Sequence, residues 1–258
     1  MVFVHLIPPL VPDGALRGGV VLVIDVLRAS TMIVHALRAG CSSIIPCLEI
    51  EEAWRVAASF PKGSVLLAGE RDGISIEGFD LGNSPSECTP ELCDGKTVVF
   101  TTTNGTRALQ ACLEARAVVI GALVNFEATC ARLEGESGSL HLLCAGTDGQ
   151  ISYEDTLVAG AFVKHFLARG RQIGNDSAEV AAGLWTAVER RVFSGASGKE
   201  TVDSLARELE KGRGGRRVAE LGFAADIRDA SWLNRPGFQL VAEVVWNPMR
   251  IVATSFPS

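Results

Sequence analysis

A unit of apolar strand, polar turn and helix, followed by a second strand, occurs twice in this chain. The first copy begins with the apolar residues 20–24 and the turn 25–31, and the second with residues 97–100 and the turn 101–107. The two copies lie about 75 residues apart, which a search for internal repeats detects. The repetition predicts an internal duplication within an α/β fold.

Strands alternate with helices through most of the sequence. Several strand candidates are nearly continuous runs of Val, Ile and Leu, which is typical of strands covered on both faces. The predicted strands are residues 20–24, 43–47, 64–68, 97–101, 117–121, 140–144 and 239–246. The predicted helices are residues 29–39, 50–59, 105–115, 126–133, 154–169, 177–191 and 199–211. This order predicts an α/β fold, a three-layer α/β/α sandwich with a mixed, largely parallel sheet.

The chain of 258 residues contains no clear linker. We therefore predict a single domain over residues 1–258, with pseudo-repeats at about 20–60 and 97–133. Residues 69–95 show little helical pattern and are predicted to form a long loop, of the kind that often carries function. The basic, glycine-rich stretch 211–217 is interpreted as a solvated turn after a helix, in preference to an anion site.

Composition narrows the classes of partner. A net charge of −6 and a pI near 5.3 argue against a nucleic-acid or anionic-membrane surface. The seven cysteines include no C-x-x-C pair, which favours free thiols in a reducing cytoplasm over a disulfide framework. Residues 1–7 lack a basic lead, so no signal peptide is expected, and no apolar run is long enough to span a bilayer. We expect a cytoplasmic protein, with a homodimer as the default assembly.

The turn at 101–107 concentrates groups that bind oxyanions. A helix start offers unpaired backbone N–H groups and a positive dipole end, and Gly105 lets the backbone approach a ligand. Threonine hydroxyls add further donors. These features predict a cradle for a phosphoryl group. The residues assigned to phosphate or substrate binding are Ser30, Thr31, Asn83, Ser84, Thr102, Thr103, Gly105 and Thr106.

Ligands of open α/β sheets bind outside the carboxyl ends of the strands. Several acidic residues of this chain lie at such positions, directly after predicted strands or at the start of predicted helices. Asp25 comes directly after the first strand of the repeat, Glu70 follows another apolar run, and Asp155 begins a predicted helix. Carboxylate oxygens are the ligands that Mg²⁺ prefers, so these three residues are the candidate metal ligands. The alternative is that Asp25 and Asp155 only cap helix starts.

The candidate catalytic residues are Asp25, Arg28, Arg71, Asn104, Arg107 and Cys144. Arginine forks suit phosphate or sulfonate oxygens, and Arg28 and Arg107 occupy similar places in the two repeats. Surface ion pairs are an equally good interpretation of these arginines. Cys144 at a strand end is a candidate nucleophile, although a buried apolar role is favoured for it.

Five motifs occur together in one order along the chain. They are the stretch 25–31, Gly69-Glu70-Arg71, Gly82-Asn83-Ser84-Pro85, the stretch 102–106 and the helix start Glu154-Asp155. In this combination the chain resembles the 2-phosphosulfolactate phosphatase family, the ComB-like proteins of coenzyme M and sulfolactate biosynthesis, over about residues 1–230. The C-terminal stretch 244–248 departs from the pattern expected of that family.

The resemblance implies a three-layer fold with a duplication and a magnesium-dependent hydrolysis of 2-phospho-3-sulfolactate to 3-sulfolactate and phosphate. Two other functions stay open at this point. One is a non-catalytic binder of small phosphorylated or sulfonated metabolites, and the other is a magnesium-dependent hydrolase of a different small phosphoester. Attack by metal-bound water and a covalent phosphoenzyme are both compatible with these residues.

Overall fold

The computed structural model describes residues 1–193 and 198–255. Its strands, β1 to β10, are Val2–His5, Val20–Ile24, Ser43–Pro46, Val65–Arg71, Ile74–Ser75, Thr97–Thr101, Ala117–Gly121, Leu140–Cys144, Leu240–Val245 and Arg250–Ser255. Its helices, α1 to α10, are Ala29–Arg38, Ile50–Ala57, Pro90–Cys93, Gly105–Gln110, Phe126–Glu134, Tyr153–Ala168, Asp176–Val192, Lys199–Leu209, Arg213–Glu220 and Ala224–Ala230. Alternation of strand and helix through β8 produces the α/β architecture that the sequence predicts.

The strands form one mixed sheet in the order β1-β8-β2-β7-β9-β10-β3-β6-β4-β5. β1, β8, β2 and β7 form one parallel set, and β3, β6 and β4 form another. The hairpin β9–β10 lies antiparallel between the two sets, and β5 pairs antiparallel with β4 at one edge. The prediction of a mixed, largely parallel sheet between helices is confirmed.

The central strand of each parallel set is flanked by strands that follow the other central strand in the chain. β2 lies between β8 and β7, whereas β6 lies between β3 and β4. The two polar turns of the repeat follow β2 and β6, so each turn begins at an inner strand of its parallel set. These turns meet, because a Cβ placed on Gly105 would lie 2.9 Å from Asp25 Oδ2. The duplication itself stays a prediction.

Apolar side chains fill the space on both faces of the sheet. On one face, Phe162 and Phe166 of α6 pack with the parallel strands and with α7 and α8. On the other face, Met32 of α1 and Leu109 of α4 pack against β2, β7 and β6. The largest of these side chains, Phe162, Phe166 and Met32, are fully buried. Burial of both sheet faces explains why the strands read as continuous apolar runs.

The irregular segments differ most from the sequence prediction. The stretch 69–95 contains the end of β4, the short strand β5 and the single-turn helix α3. Residues 211–217 are not a simple turn, because helix α9 begins at Arg213. The strands β1 and β10 and the helix α10 were not predicted. β1 is four residues long and exists through its pairing with β8, which a local sequence pattern does not reveal.

The helices were compared with the length and hydropathy of membrane-spanning helices. Among residues 1–193 and 198–255, each helix is too short or too polar to cross a bilayer.

Candidate functional site

A polar cleft lies where the loops after β2, β4, β6 and β8 converge, and helix α9 forms the remaining wall. The cleft is lined by Asp25, Leu27, Arg28, Glu70, Asp72, Gly73, Asn83, Thr102, Thr103, Asn104, Thr147, Asp148, Gly214, Arg217, Val218 and Leu221. Seven residues that the sequence assigned to the site are in this lining, namely Asp25, Arg28, Glu70, Asn83, Thr102, Thr103 and Asn104. The strand ends therefore converge on one cleft.

Asp25 is held at the mouth of β2 by the turn that follows it. Its backbone N–H donates to Ser30 Oγ at 2.9 Å, and its carbonyl accepts from the Ser30 N–H at 2.8 Å. Thr31 closes the same turn by donating its hydroxyl to the Val26 carbonyl at 2.8 Å. Ser30 and Thr31 are buried and do not line the cleft. They position Asp25 from behind the turn, and their assignment to substrate binding stays a prediction.

Glu70 lies at the far end of β4 and is held through both carboxylate oxygens. Oε1 accepts from the Thr103 N–H at 2.8 Å, and Oε2 accepts from the Gly73 N–H at 2.6 Å. The residue is 6% exposed. These bonds fasten the loops after β4 and β6 to each other, so Glu70 shapes the cleft as well as lining it.

The carboxyl group of Asp25 is electrostatically unusual. Burial and the neighbouring Glu70 raise its pKa to about 7, and the Arg28 charge only partly offsets them. Two carboxylates in one buried site repel each other, and desolvation penalises each charge. Such a site gains stability from a cation, and a strongly perturbed acid in a cleft is typical of functional sites.

Arg28 lines the cleft, but its charge is already paired. Its guanidinium donates to Asp226 Oδ2 at 2.9 Å and to the Gly73 carbonyl at 2.9 Å, and it stacks over the Phe223 ring. The other oxygen of Asp226 accepts from Ser84 Oγ at 2.6 Å. Ser84 therefore supports Arg28 from outside the cleft, where the sequence analysis assigned it to substrate binding.

The turn after β6 uses some of its own donors. The Thr102 N–H donates to Thr106 Oγ1 at 3.1 Å, and the Thr103 N–H is taken by Glu70. Thr106 and Gly105 are buried behind the turn and are not part of the cleft lining. Of the cradle predicted at residues 101–107, Thr102, Thr103 and Asn104 line the cleft, and the N–H groups of Thr102 and Thr103 are already used within the protein.

Asp155 does not join Asp25 and Glu70 in the cleft. It is buried, and its two carboxylate oxygens accept from the N–H groups of Val26 at 2.9 Å and Gly146 at 3.1 Å. Burial, reinforced by Asp25 and Glu154, raises its pKa well above the usual range. Asp155 ties the loop after β2 to the loop after β8, and its assignment as a metal ligand stays a prediction that the cleft lining does not support.

Cys144 is likewise a core residue. It is fully buried among apolar side chains and lies outside the cleft lining. Burial, together with the nearby Asp155, raises the pKa of its thiol well above the usual range. A thiol that resists ionisation is a poor nucleophile. Burial and the raised pKa therefore favour the apolar interpretation of Cys144 over the catalytic one.

Arg71 and Arg107 also lie outside the cleft lining. Arg71 donates to the carbonyls of its neighbour Glu70 and of Leu48, and to Thr101 Oγ1 at 2.9 Å, so it braces the end of β4. Arg107 is exposed on α4. The predicted contacts of these two arginines with substrate are not present in the cleft geometry.

Helix α9 is the wall that sequence reasoning missed. It brings Gly214 and Arg217 to the cleft, and the Arg217 guanidinium donates to the Asp72 carbonyl at 2.8 Å. The glycines before and inside the helix allow close packing. A Cβ on Gly214 would lie 2.0 Å from Glu154 Oε1, and one on Gly215 would lie 2.2 Å from the Leu209 carbonyl oxygen. The repeated glycines at 212–215 were the available signal that this basic stretch packs against other elements.

The cleft carries more negative than positive side chains. Its lining contains the acids Asp25, Glu70, Asp72 and Asp148 and the bases Arg28 and Arg217. Arg28 is neutralised by Asp226, and the neighbouring Arg213 forms a 2.7 Å ion pair with Asp148. Of the cleft arginines, Arg217 is the one with no carboxylate partner among the described residues. Its guanidinium is therefore available to an anion.

The donor set suits a hard cation with few protein ligands. Asp25 and Glu70 supply carboxylate oxygens, and the buried Asn83 Oδ1 in the same lining has no hydrogen-bond partner within the described residues. No cluster of three His, Cys, Asp or Glu side chains with metal-binding geometry occurs in residues 1–193 and 198–255. Mg²⁺ commonly binds through one or two carboxylates, with waters and substrate oxygens completing its shell. The residues present therefore fit Mg²⁺ through Asp25 and Glu70, although that assignment stays a prediction.

Comparison with known proteins identifies similar chains. The profile of the 2-phosphosulpholactate phosphatase family matches residues 5–243. A probable 2-phosphosulfolactate phosphatase of Caldanaerobacter subterraneus is 37% identical over 216 residues, which cover 84% of each chain. One of Symbiobacterium thermophilum is 40% identical over 217 residues, 84% of this chain and 88% of the relative. One of Synechococcus is 40% identical over 179 residues, 68% of this chain and 73% of the relative.

The packing of α9 gives a first prediction. Gly215→Ala forces a methyl group against the Leu209 carbonyl, and overpacking of this kind costs about 1–3 kcal/mol of the free energy of unfolding. The control is Gly183→Ala in α7, where a Cβ meets nothing within 4 Å, and Ala there is expected to stabilise by up to about 1 kcal/mol. Urea denaturation of both variants makes the comparison. Equal stability of the two variants would contradict the proposed packing of α9.

Proposed function

The chain belongs to the 2-phosphosulfolactate phosphatase family, whose members are phosphoric monoester hydrolases, and we propose that it hydrolyses 2-phospho-3-sulfolactate to 3-sulfolactate and inorganic phosphate with Mg²⁺ as cofactor. The names of the relatives support the substrate. The observation that carries the reaction type is the cleft itself, where two buried carboxylates, an unpartnered amide oxygen and an unpaired arginine face one space. Magnesium dependence rests on the chemistry of these donors.

One half of the cleft suits a phosphoryl group. Thr102, Thr103 and Asn104 line this half, where Asn104 contributes an amide group, and Asp25 and Glu70 line it beside them. A phosphate dianion cannot approach two carboxylates without a counter-charge, because like charges in a desolvated site repel strongly. Mg²⁺ held by Asp25 and Glu70 would supply that charge and neutralise the phosphoryl oxygens.

The other half of the cleft suits a second anionic group. Arg217 extends from α9, and one of its guanidinium nitrogens donates a hydrogen bond to the Asp72 carbonyl. The guanidinium has further N–H donors for an anion. Sulfonate and carboxylate oxygens both accept from a guanidinium fork. We assign to Arg217 the recognition of an anionic end of the substrate, the role predicted from the sequence for Arg28, Arg71 and Arg107. Val218 lies on α9 and Leu221 directly follows this helix. Both apolar side chains line this end of the cleft and would exclude water from it.

The reaction is tested by phosphate release from a substrate panel. The panel contains 2-phospho-3-sulfolactate, phospholactate, phosphoglycolate and an aryl phosphate, each assayed with Mg²⁺ and again with EDTA. We expect release that is fastest from the sulfonated ester and that is lost on chelation and restored by added Mg²⁺.

Other outcomes of this panel separate the alternatives. Release from the other esters alone would keep the phosphatase and discard the named substrate. Unchanged release in EDTA would discard the metal. Tight binding of the sulfonated ester without any release would indicate a binding protein instead of an enzyme.

The metal assignment is tested by direct binding. Titration calorimetry with Mg²⁺ alone is expected to show binding to the native protein that is lost in Asp25→Asn and in Glu70→Gln, because each variant removes one of two carboxylate ligands. Turnover of both variants should fall by at least about 100-fold. Asp72→Asn is the matched control, since Asp72 is an exposed acid of the same cleft. Native-like Mg²⁺ binding by both variants would show that the assignment is wrong.

The role of Arg217 is tested by its effect on different substrates. Arg217→Gln removes a charged hydrogen bond worth about 1.5–3 kcal/mol, so KM for the sulfonated ester should rise by about 10-fold or more. KM for an aryl phosphate with no second anionic group should change little. Arg107→Gln, an exposed arginine outside the cleft, is the matched control and should behave as the native protein. An equal rise for both substrates would contradict a specificity role.

A further inference from the structure

Helix α9 forms one wall of the cleft, yet its own sequence favours a helix only weakly. It has eight residues, and isolated helices shorter than about 12–15 residues are marginal in water. Its second and third residues are Gly214 and Gly215, and glycine is among the least favourable residues for a helix. The helix therefore depends on contacts with the rest of the protein.

The first turn of α9 lacks the groups that usually stabilise a helix start. Its N-cap residue, Gly212, has no side chain to accept from the unpaired backbone N–H groups, and the turn contains no acidic residue. Arg213 and Arg216 instead place positive charge at the positive end of the helix dipole, which is unfavourable. This helix start therefore gains stability from a negative group supplied by another part of the chain.

Glu154, the second residue of α6, places a carboxylate at this helix start. The residue is 1% exposed. A Cβ on Gly212 would lie 1.8 Å from Glu154 Oε2, and one on Gly214 would lie 2.0 Å from Oε1. The two carboxylate oxygens thus lie against the backbone of the N-cap residue and of the second residue of α9. The carboxylate has room there because both positions are glycine.

The Glu154 carboxylate needs compensation for its burial. Within residues 1–193 and 198–255, its Oε2 atom is buried without a hydrogen-bond partner. Burial raises the pKa of this group, because desolvation penalises its charge. Unpaired N–H groups and the positive dipole end of a helix favour an anion. The glycine-rich start of α9 therefore receives an anion that belongs to the chain itself.

The alternative is that Glu154 serves only the start of its own helix. That start already has a side-chain cap, because Ser152 Oγ accepts from the Asp155 N–H at 3.1 Å. Glu179, a comparable acid in the first turn of α7, is exposed to solvent, whereas Glu154 is buried against α9. Burial at this place favours a role for Glu154 in holding α9.

We propose that Glu154 is a positioning residue, which fixes the start of α9 and thereby holds Arg217 in the cleft. Arg217 lies about one turn after Gly214 on this helix, and its guanidinium donates to the Asp72 carbonyl at 2.8 Å. A shift of the helix start would move that guanidinium. The effect on catalysis rests on the proposed function, in which Arg217 recognises an anionic end of the substrate, whereas the effect on α9 does not.

The contact with α9 is tested without substrate, by hydrogen–deuterium exchange of the backbone amides of residues 213–220. Glu154→Gln keeps the size of the side chain and removes its charge, so exchange in α9 should become about 5-fold faster. Glu179→Gln is the matched control and should leave α9 unchanged. Native-like exchange of α9 in Glu154→Gln would overturn the proposal, and so would exchange that rises equally throughout the molecule.

A second variant disturbs the same contact from the other side. The backbone φ of Gly212 is −65°, which suits alanine, so the methyl group of Gly212→Ala conflicts mainly with the Glu154 carboxylate. Faster exchange confined to α9 is expected here as well. This variant decides the question if Glu154→Gln does not fold, and native-like exchange in it would then contradict the contact.

The link to Arg217 is tested by a double-mutant cycle on KM. Glu154→Gln should raise KM for 2-phospho-3-sulfolactate by about 5-fold and leave kcat and KM for an aryl phosphate near native. In the Arg217→Gln background the same substitution should raise KM no further, because the group that Glu154 positions is already gone. An equal further rise in that background, or an equal rise for the aryl phosphate, would show that Glu154 acts by another route.

The two measurements separate this proposal from the proposed function. A native protein that releases no phosphate from 2-phospho-3-sulfolactate would overturn the proposed function, and the exchange of α9 would then decide the role of Glu154 alone. Faster exchange in α9 with a native KM for the sulfonated ester would overturn the positioning of Arg217 while the phosphatase reaction stands.

Discussion

The buried ion pair between Arg28 and Asp226 joins the parts of the chain that make the cleft. Both side chains are almost fully buried, and their contact is 2.9 Å. Arg28 comes from the turn after β2, and Asp226 comes from α10, 198 residues later in the chain. Ser84 and Gly73 complete the set of hydrogen bonds. Loss of one partner would leave a buried charge unpaired, which costs about 3–5 kcal/mol.

Buried carboxylates divide between support and function in this site. Asp155, Asp226 and Glu70 each have both oxygens engaged by the protein, so they hold loops in place, although Glu70 also lines the cleft. Asp25 is different, because its carboxyl group faces the cleft beside Glu70, and its pKa is raised to about 7 by burial and by that neighbour. The supporting acids fix the walls, and the acid that is not fully compensated is where a cation and a phosphoryl group would gain the most.

Local pattern was sufficient for the main strands and for half of the site. Continuous apolar runs identified β2, β6 and β8, and the polar turns after β2 and β6 identified Asp25 and Thr102, because a strand end in an α/β sheet is where ligands bind. The same reasoning failed for residues whose polar atoms are spent inside the protein. Nothing in the neighbouring sequence tells a cleft-facing acid such as Asp25 from a loop-bracing acid such as Asp155, since both follow or begin an element.

The sequence by itself determined the α/β class, the family and the turns that carry Asp25 and Thr102, since these depend on periodicity and on short motifs. Only the tertiary structure decided that β2 lies between β8 and β7 while β6 lies between β3 and β4. It also decided the pairing of Arg28 with Asp226 and the placement of α9 with Arg217. Those features depend on contacts between residues far apart in the chain. The free energy of such contacts comes from burial and from charge pairing in three dimensions, and a linear pattern carries no record of either.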